Sequence, residues 1–462
     1  MNPYPLGEHE ERFEPKNDLK LPKLEEKLAL QSQAPQEATL SSFVDSVSTT
    51  AFHNSDAITD SCYPGTRTQL LAGLDKWAST NVIGGENPYI VWLTGIAGSG
   101  KTAIMQTFAE RASERVSASF FFCRSDARRN DTKYLLPTLL YQLYHSVPHP
   151  QKSRILSSVP LFPLVRNRPL SEQFDILVLN PLRDLFESGH FSDPESRPVI
   201  IIDGLDECLD QEKQLEVMDM LFHAIKAGVP FQFLLSSRPD PRIQSVVSAQ
   251  SPGSAMCQIV LDDTRQNDLD IRLFLEQRMH ECRTTHPFRK YLPPDLPSDK
   301  DIDHLVYMSS RLFIFASTAM RYIESPRDLP ATRLANILGL YADGDQPHAQ
   351  LDALYAHILQ TTSNSAQLLR ILALIALSNN RLPISIIAAT LQIPPRECEG
   401  FLLEIPSLVS VCNQDKLSYI NMRHTSLLDF LRDRSRSQEY GIRISDYNAQ
   451  IIQASTRFVI RK

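Results

Sequence analysis

The sequence predicts an α/β fold: a parallel sheet covered by helices on both faces, followed by a helical region and a short mixed region. Three observations predict it. Five strand-like runs, apolar on both faces, alternate with helical stretches between Tyr89 and Leu261. One of these runs leads into a glycine-rich turn that opens a helix. Another ends in a carboxylate, with two more acids within the next four residues.

Tyr89 to Leu93 is the first run and reads as a buried strand. Gly95, four residues, Gly100, Lys101 and Thr102 then fit the phosphate-loop pattern without a mismatch. The chain has only 16 glycines in 462 residues, yet Gly95, Gly98 and Gly100 fall within six positions, so the cluster stands out. Glycines let the backbone fold back and aim successive N–H groups at one concavity. A helix starting near Lys101 turns its free N–H groups toward the same anion. The backbone from Gly95 through Ile96, Ala97, Gly98, Ser99 and Gly100 to Lys101, Thr102 and Ala103 is therefore the candidate phosphate cradle. Lys101 reaches for the outer phosphates, and the Thr102 hydroxyl is a candidate Mg²⁺ ligand. The pattern predicts a P-loop NTPase sheet.

The second acid-tipped run is Val199-Ile-Ile-Ile-Asp203, followed by Gly-Leu-Asp206-Glu207. In a parallel sheet Asp203 stands at the ligand-binding edge beside the phosphate loop. There it can hold Mg²⁺, directly or through water. Asp206 or Glu207 can polarise an attacking water. A third run, Phe231 to Leu235, delivers Ser236, Ser237 and Arg238 to the same edge, where the Arg238 guanidinium can sense a terminal phosphate. No Asn/Thr-Lys-x-Asp guanine-reading motif occurs, which favours ATP/ADP over GTP, and no second phosphate clamp suggests a small-molecule kinase.

The remaining elements follow in order. Residues 1–51, rich in Glu, Lys, Pro, Gln and Ser, read as a largely disordered arm with a weak helical rhythm from Leu21 to Leu30. An amphipathic helix, Gln69 to Ser79, enters the first strand through Gly84-Gly85. Strand-like runs at Ala118 to Cys123 and Cys257 to Leu261 complete the sheet. Helices are expected at Ala103–Ser113, Lys133–Ser146, Leu170–Ser188 and Glu212–Ala227. Residues 52–262 thus form one domain. A helical domain, 263–362, holds Gln266–Glu281, Asp301–Ile323, Leu334–Tyr341 and Leu351–Gln360. In 363–434, helices Leu368–Leu377, Ile384–Leu391 and Glu397–Leu403 precede strands Ser407–Cys412 and Leu417–Ile420, joined by a turn at Asn413 to Lys416. Three helices and a hairpin make a winged helix. A last helix, Thr425–Arg434, closes it, and 435–462 form a tail of unassigned structure.

Bulk properties narrow the function. Net charge is −7 and pI about 6.0, which gives no electrostatic case for nucleic-acid binding. The candidate recognition helix, Pro395 to Glu404, carries one arginine and three glutamates, so the winged helix reads as an intramolecular lid. Seven scattered cysteines without a C-x-x-C pair suit reduced thiols. No apolar run reaches ~18 residues, and the N-terminus has no basic-then-apolar leader. A cytoplasmic protein without a membrane span is expected. His424, just before an amphipathic helix, reads on charge and spacing as a capping or surface residue.

Taken together, the motifs resemble the fungal NACHT proteins, a branch of the STAND class of P-loop NTPases of NOD-like receptor type, with a nephrocystin-like N-terminal NACHT region. The matching stretches are Pro64-Gly-Thr-Arg, Gly95 to Thr102, Phe121-Phe-Cys-Arg-Ser-Asp with Arg128-Arg129, and Ile202-Asp-Gly-Leu-Asp-Glu. Ser236-Ser-Arg-Pro, Leu312-Phe-Ile-Phe-Ala and His424-Thr-Ser-Leu-Leu-Asp-Phe-Leu complete the set. The resemblance implies a signalling switch that ADP holds closed, that ATP opens for homo-oligomerisation, and that hydrolyses ATP slowly. A non-hydrolysing ADP-bound scaffold, or a regulator of longer relatives, is the alternative. It also implies that His424 contacts the β-phosphate of ADP. Two departures stand out: Arg311 occupies a position where the family often has glycine, and the C-terminal repeat sensor of most relatives is not in this sequence.

Overall fold

The computed structural model describes residues 43–58, 60–79, 88–147, 149–187, 197–250, 255–261, 265–340, 348–378, 382–414, 417–443 and 445–450, with 452 and 456. Five parallel strands form the main sheet: β1 (Ile90–Thr94), β2 (Val116–Phe121), β3 (Val199–Asp203), β4 (Gln232–Ser237) and β5 (Met256–Val260). Their order is β2-β3-β4-β1-β5. Every residue of β1, β3 and β4 is buried, because helices cover both faces. Side chains alternate across the pleat. Ile90 and Trp92 face one core with Ile200 and Ile202, while Val91 and Leu93 face the other with Ile201 and Leu234.

The helices sort onto these faces. Helices α1 (Thr68–Ser79) and α2 (Lys101–Arg111) bury Leu71, Leu74, Ile104 and Phe108 on the second face. On the first face lie α3 (Leu135–Ser146), α4 (His149–Ser158), α5 (Phe162–Val165), α6 (Leu170–Phe174), α7 (Asn180–Glu187) and α8 (Gln211–Lys226). Helix α9 (Pro241–Gln250) follows β4. Burying side chains such as Trp92 or Phe120 contributes roughly 1.5–3 kcal/mol each. The strand order matters for function. Strand β4 lies between β1 and β3, and the register pairs Thr94 with Ser237 and Ile202 with Leu235. The ends of all three strands therefore meet at one rim.

The rest is mostly helical: α10 (Arg265–Thr285), α11 (Asp299–Ser309), α12 (Phe313–Ile323), α13 (Pro330–Leu338), α14 (Ala349–Gln360), α15 (Ser365–Leu377), α16 (Ile384–Leu391) and α17 (Pro395–Leu403). An antiparallel hairpin, β6 (Val409–Gln414) with β7 (Leu417–Met422), precedes α18 (Thr425–Arg432) and the short α19 (Arg434–Ser437). One continuous apolar cluster runs from Ile271 to Ile442, so α10 to α18 share a core.

Several expectations need correction. The single helix expected over Asp301–Ile323 is two, because Ser310 and Arg311 adopt φ of +46° and +65°. Neither residue type announces such a break. Leu170–Ser188 divides at a π turn over Asp175–Leu179. Residues 43–51, expected within the disordered arm, are folded. Phe43, Val44, Val47 and Ala51 are buried, Phe43 packs edge-on against Phe162 at 5.6 Å, and Ser48 N–H donates to Thr138 Oγ1 at 2.9 Å. Part of the tail is docked as well, with Tyr440 and Ile442 in the core. The remainder of the arm with Leu21–Leu30, the Gly84-Gly85 link, the Asp415-Lys416 turn and most of 451–462 lie outside the described residues.

Arg311, a departure from the pattern of the resembled family, has a left-handed backbone. That conformation costs a side-chain-bearing residue roughly 1–2 kcal/mol. Its surface ion pair with Asp268, at 3.6 Å, is worth little. Arg311→Gly is expected to raise stability by about 1 kcal/mol, read as a higher denaturant midpoint with an unchanged slope.

Candidate functional site

The loop between β1 and α2 turns on Gly98 and Gly100, with φ of +86° and +92°. A Cβ at Gly98 would stand 2.1 Å from Ile314 Cγ2, so only glycine lets α12 rest on the loop. Ile314 N–H donates to Gly98 O at 3.3 Å. Arg67 braces the loop from outside, with Nη2 donating to Ser99 O at 2.9 Å and Nη1 to Asn267. Gly100 caps α2 without a side-chain hydrogen bond, so the first N–H groups of the helix are left for an anion. Ser99 Oγ is buried without a hydrogen-bond partner among the described residues. Lys101 curls over the loop, with Nζ donating to Gly95 O at 2.6 Å and Ile96 O at 3.0 Å.

Asp203 ends β3 and is 2% exposed. Its Oδ2 accepts from Thr102 Oγ1 at 2.8 Å, and its Oδ1 from Ser236 Oγ at 2.5 Å. Ser236 Oγ in turn accepts from Gly204 N–H at 2.9 Å. The start of α2, the end of β3 and the end of β4 thus join through three short contacts. Burial holds the Asp203 carboxyl above its ordinary pKa, against the opposing pull of Ser236, Thr102 and Lys101.

The acids beyond β3 are tied to β4 and to the loop after β2. Asp206 accepts from Arg238 N–H at 3.0 Å and pairs with Arg238 Nε at 3.0 Å. Glu207 Oε2 accepts from Arg124 N–H at 3.0 Å. Burial, and then the Asp206 charge, push the Glu207 carboxyl up to about 7. Arg238 also pairs with Asp429 of α18, Nη2 to Oδ2 at 2.7 Å, and Arg124 Nη1 stands 3.9 Å from Asp429 Oδ1.

His424 reaches the same place from the far end of the chain. It caps α18, and its Nδ1 accepts from Ser426 N–H at 3.0 Å and lies 2.7 Å from Ser426 Oγ. Nδ1 is therefore the unprotonated nitrogen, and Nε2 carries the hydrogen. Burial, then the charges of Lys101 and Arg238, depress the ring to about 3, so it is neutral at physiological pH.

A cavity of about 600 Å³ runs between these groups. Ala97, Gly98, Gly100, Lys101, Thr102 and Ala103 line it, with Asp203, Asp206, Glu207, Arg238 and His424 opposite. Gly95 and Ile96 lend their carbonyls to Lys101 instead, and Ser99 turns its carbonyl to Arg67. Sequence reasoning missed Asp429 and Arg124 as charge partners of the site. Both lie inside stretches that carry the family resemblance, but only the fold brings them to Arg238.

A family described as "Nephrocystin 3, N-terminal" matches residues 66–238, a span that holds the loop, Asp203 and Arg238 but not His424. The chain has a P-loop NTPase fold. No curated protein matches it. Among solved structures it is similar to the Walker-type ATPase PABY2304 of Pyrococcus abyssi, at 14% identity and a TM-score of 0.38, over 81% of this chain and 99% of that one. It is also similar to the Aeropyrum pernix ORC1 protein in complex with DNA, at 14% identity and TM-score 0.36, over 85% and 97%. A third is Cdc6p from Pyrobaculum aerophilum, at 12% identity and TM-score 0.34, over 88% and 99%. No described helix of this P-loop protein is long and apolar enough to cross a membrane.

The depressed His424 ring links stability to pH. An unfolded histidine takes up a proton near 6.5, whereas this one resists until about 3. Its contribution is full above pH 6.5 and is lost progressively as pH falls toward 3. Denaturant midpoints at pH 7 and pH 5 are expected to show the loss, and His424→Gln is expected to reduce the difference between them.

Proposed function

We propose that the chain is an ATP/ADP-binding signalling switch of the NACHT and STAND class, with slow ATP hydrolysis, which opens on nucleotide exchange and then self-associates. One observation carries the reading: His424, from the C-terminal quarter, lines the same cavity as the phosphate loop, close enough to Lys101 and Arg238 for their charges to depress it. A ligand in that cavity touches both ends of the fold and so biases how they sit. In this reading α15 to α17 with β6 and β7 form a winged-helix lid. The Nε2–H of His424 donates to the β-phosphate of ADP.

The residues divide the work. The loop N–H groups, the orphaned Ser99 hydroxyl and Lys101 hold the phosphates. Among the described residues no group of three or more His, Cys, Asp or Glu stands ready to hold a metal ion. The oxygen donors of Thr102 and Asp203, paired at 2.8 Å, suit Mg²⁺ that takes its other ligands from phosphate and water. When bound, the ion neutralises phosphate charge. Arg238 reads the terminal phosphate. Glu207 is the better placed of the two acids to orient water, since Asp206 is committed to Arg238. A carboxyl near 7 is about half protonated at neutral pH, and its deprotonated form is a stronger base than an ordinary carboxylate, as a group that takes a proton from water needs to be.

The acidic balance and the glutamate-bearing α17 speak against nucleic acid as the ligand. None of the seven cysteines, all of them among the described residues, forms a disulfide, which agrees with a cytoplasmic setting.

Lys101→Ala tests the reading. Losing a charge-assisted contact worth roughly 1.5–3 kcal/mol is expected to weaken ATP and ADP binding by about tenfold to a hundredfold in calorimetric titration. Unchanged affinity would remove Lys101 from the site.

A further inference from the structure

Arg238 is claimed twice. Its Nε and backbone N–H hold Asp206, and its Nη2 holds Asp429 at 2.7 Å. Asp429 comes from α18, the helix that His424 caps, one turn and a residue further on. Asp429 also faces Arg124, whose own Nη2 donates to Asp206 O at 3.0 Å and whose N–H donates to Glu207. The side chains of Arg238 and Asp429 are 30% and 19% exposed, so their pairing is only partly screened.

The placement is asymmetric. Arg238 lines the phosphate cavity and also a second cavity of about 320 Å³. Of these two, Asp429 lines the second, with His348, Arg436 and Ile96. Arg436 is already committed to Asp352, through two contacts of 2.9 and 2.7 Å. Arg238 is thus the cation that Asp429 and a ligand phosphate would share. A diphosphate bound through the loop and His424 need not displace it. A triphosphate brings further negative charge toward Arg238 while Asp429 still occupies that guanidinium.

We propose that Asp429 is a specificity-determining residue that makes the site prefer a nucleoside diphosphate over a triphosphate, by competing with the terminal phosphate for Arg238. The inference rests on the nucleotide-site reading above and names a residue that the reading does not require. Triphosphate binding at Arg238 must break the Asp429 pair or tolerate a like charge beside it. Either cost falls on ATP and spares ADP. The released Asp429 takes α18 with it, so the same contact couples nucleotide choice to the seating of this helix.

The test is competition titration of ADP and ATP on the full chain with Mg²⁺ present. Asp429→Asn keeps the shape and removes the charge. It is expected to tighten ATP binding by about tenfold, within the usual range for coupled sites, and to leave ADP binding nearly unchanged. Asp429→Glu, which restores the charge, is expected to return the wild-type ratio. Arg124→Gln removes the competing partner of Asp429, frees it for Arg238, and is expected to weaken ATP binding further. This third variant tests the idea even if Asp429→Asn does not fold. An ATP-to-ADP affinity ratio unmoved by Asp429→Asn, or moved equally by Asp429→Glu, overturns the inference while nucleotide binding stands. In the Arg124→Gln arm, an unchanged or higher ATP affinity overturns it. A wild-type chain that binds neither nucleotide overturns both this inference and the function on which it rests.

Discussion

The hydrogen bond from Thr102 to Asp203 is the constraint on which the rest depends. It ties the first turn of α2, just after the phosphate loop, to the tip of β3 across the intervening strand. Ser236 closes the gap by holding the other oxygen of the same carboxylate. Neither contact would exist without the parallel order in which β4 separates β1 from β3. That order in turn requires strands that are apolar on both faces, which β1, β3 and β4 are.

Around that contact the protein gathers groups that are uncomfortable where they stand. Asp203 and Glu207 are carboxyls held above their usual range by burial, and His424 is held far below its own. Perturbed ionisable groups concentrated in one cavity are a mark of a functional site. The two cations that could relieve the acids are engaged elsewhere in part: Lys101 with the loop carbonyls, and Arg238 with Asp206 and Asp429. A polyphosphate with its metal would satisfy several of these groups together. The C-terminal region shares in that arrangement because His424 and Asp429 both ride on α18.

Much of this was legible in the residues. Continuous apolar runs marked the strands of the sheet, and the spacing of Gly95, Gly100, Lys101 and Thr102 marked the loop, because both signals are local. Arg238 and Asp203 could be placed at the sheet rim because Asp203 ends a readable strand and Arg238 directly follows one. The break at Ser310-Arg311 was not legible, since it depends on left-handed backbone at residues that ordinarily continue a helix. Residues 43–51 looked polar, yet four apolar side chains spaced within them bury against α3 and α5. His424 read as a cap, which it is, but its place over the phosphate loop is tertiary. The Asp429–Arg238 pair joins residues far apart in the chain, and no spacing rule reaches that distance.

The central claim is that loop and carboxylate grip a phosphate chain and its metal together. The most direct measurement is ATP affinity by calorimetry, with and without Mg²⁺, in the wild-type chain and in Asp203→Asn. The account predicts that Mg²⁺ strengthens binding to the wild type and that Asp203→Asn removes most of this gain. An equal Mg²⁺ effect in both chains would contradict it.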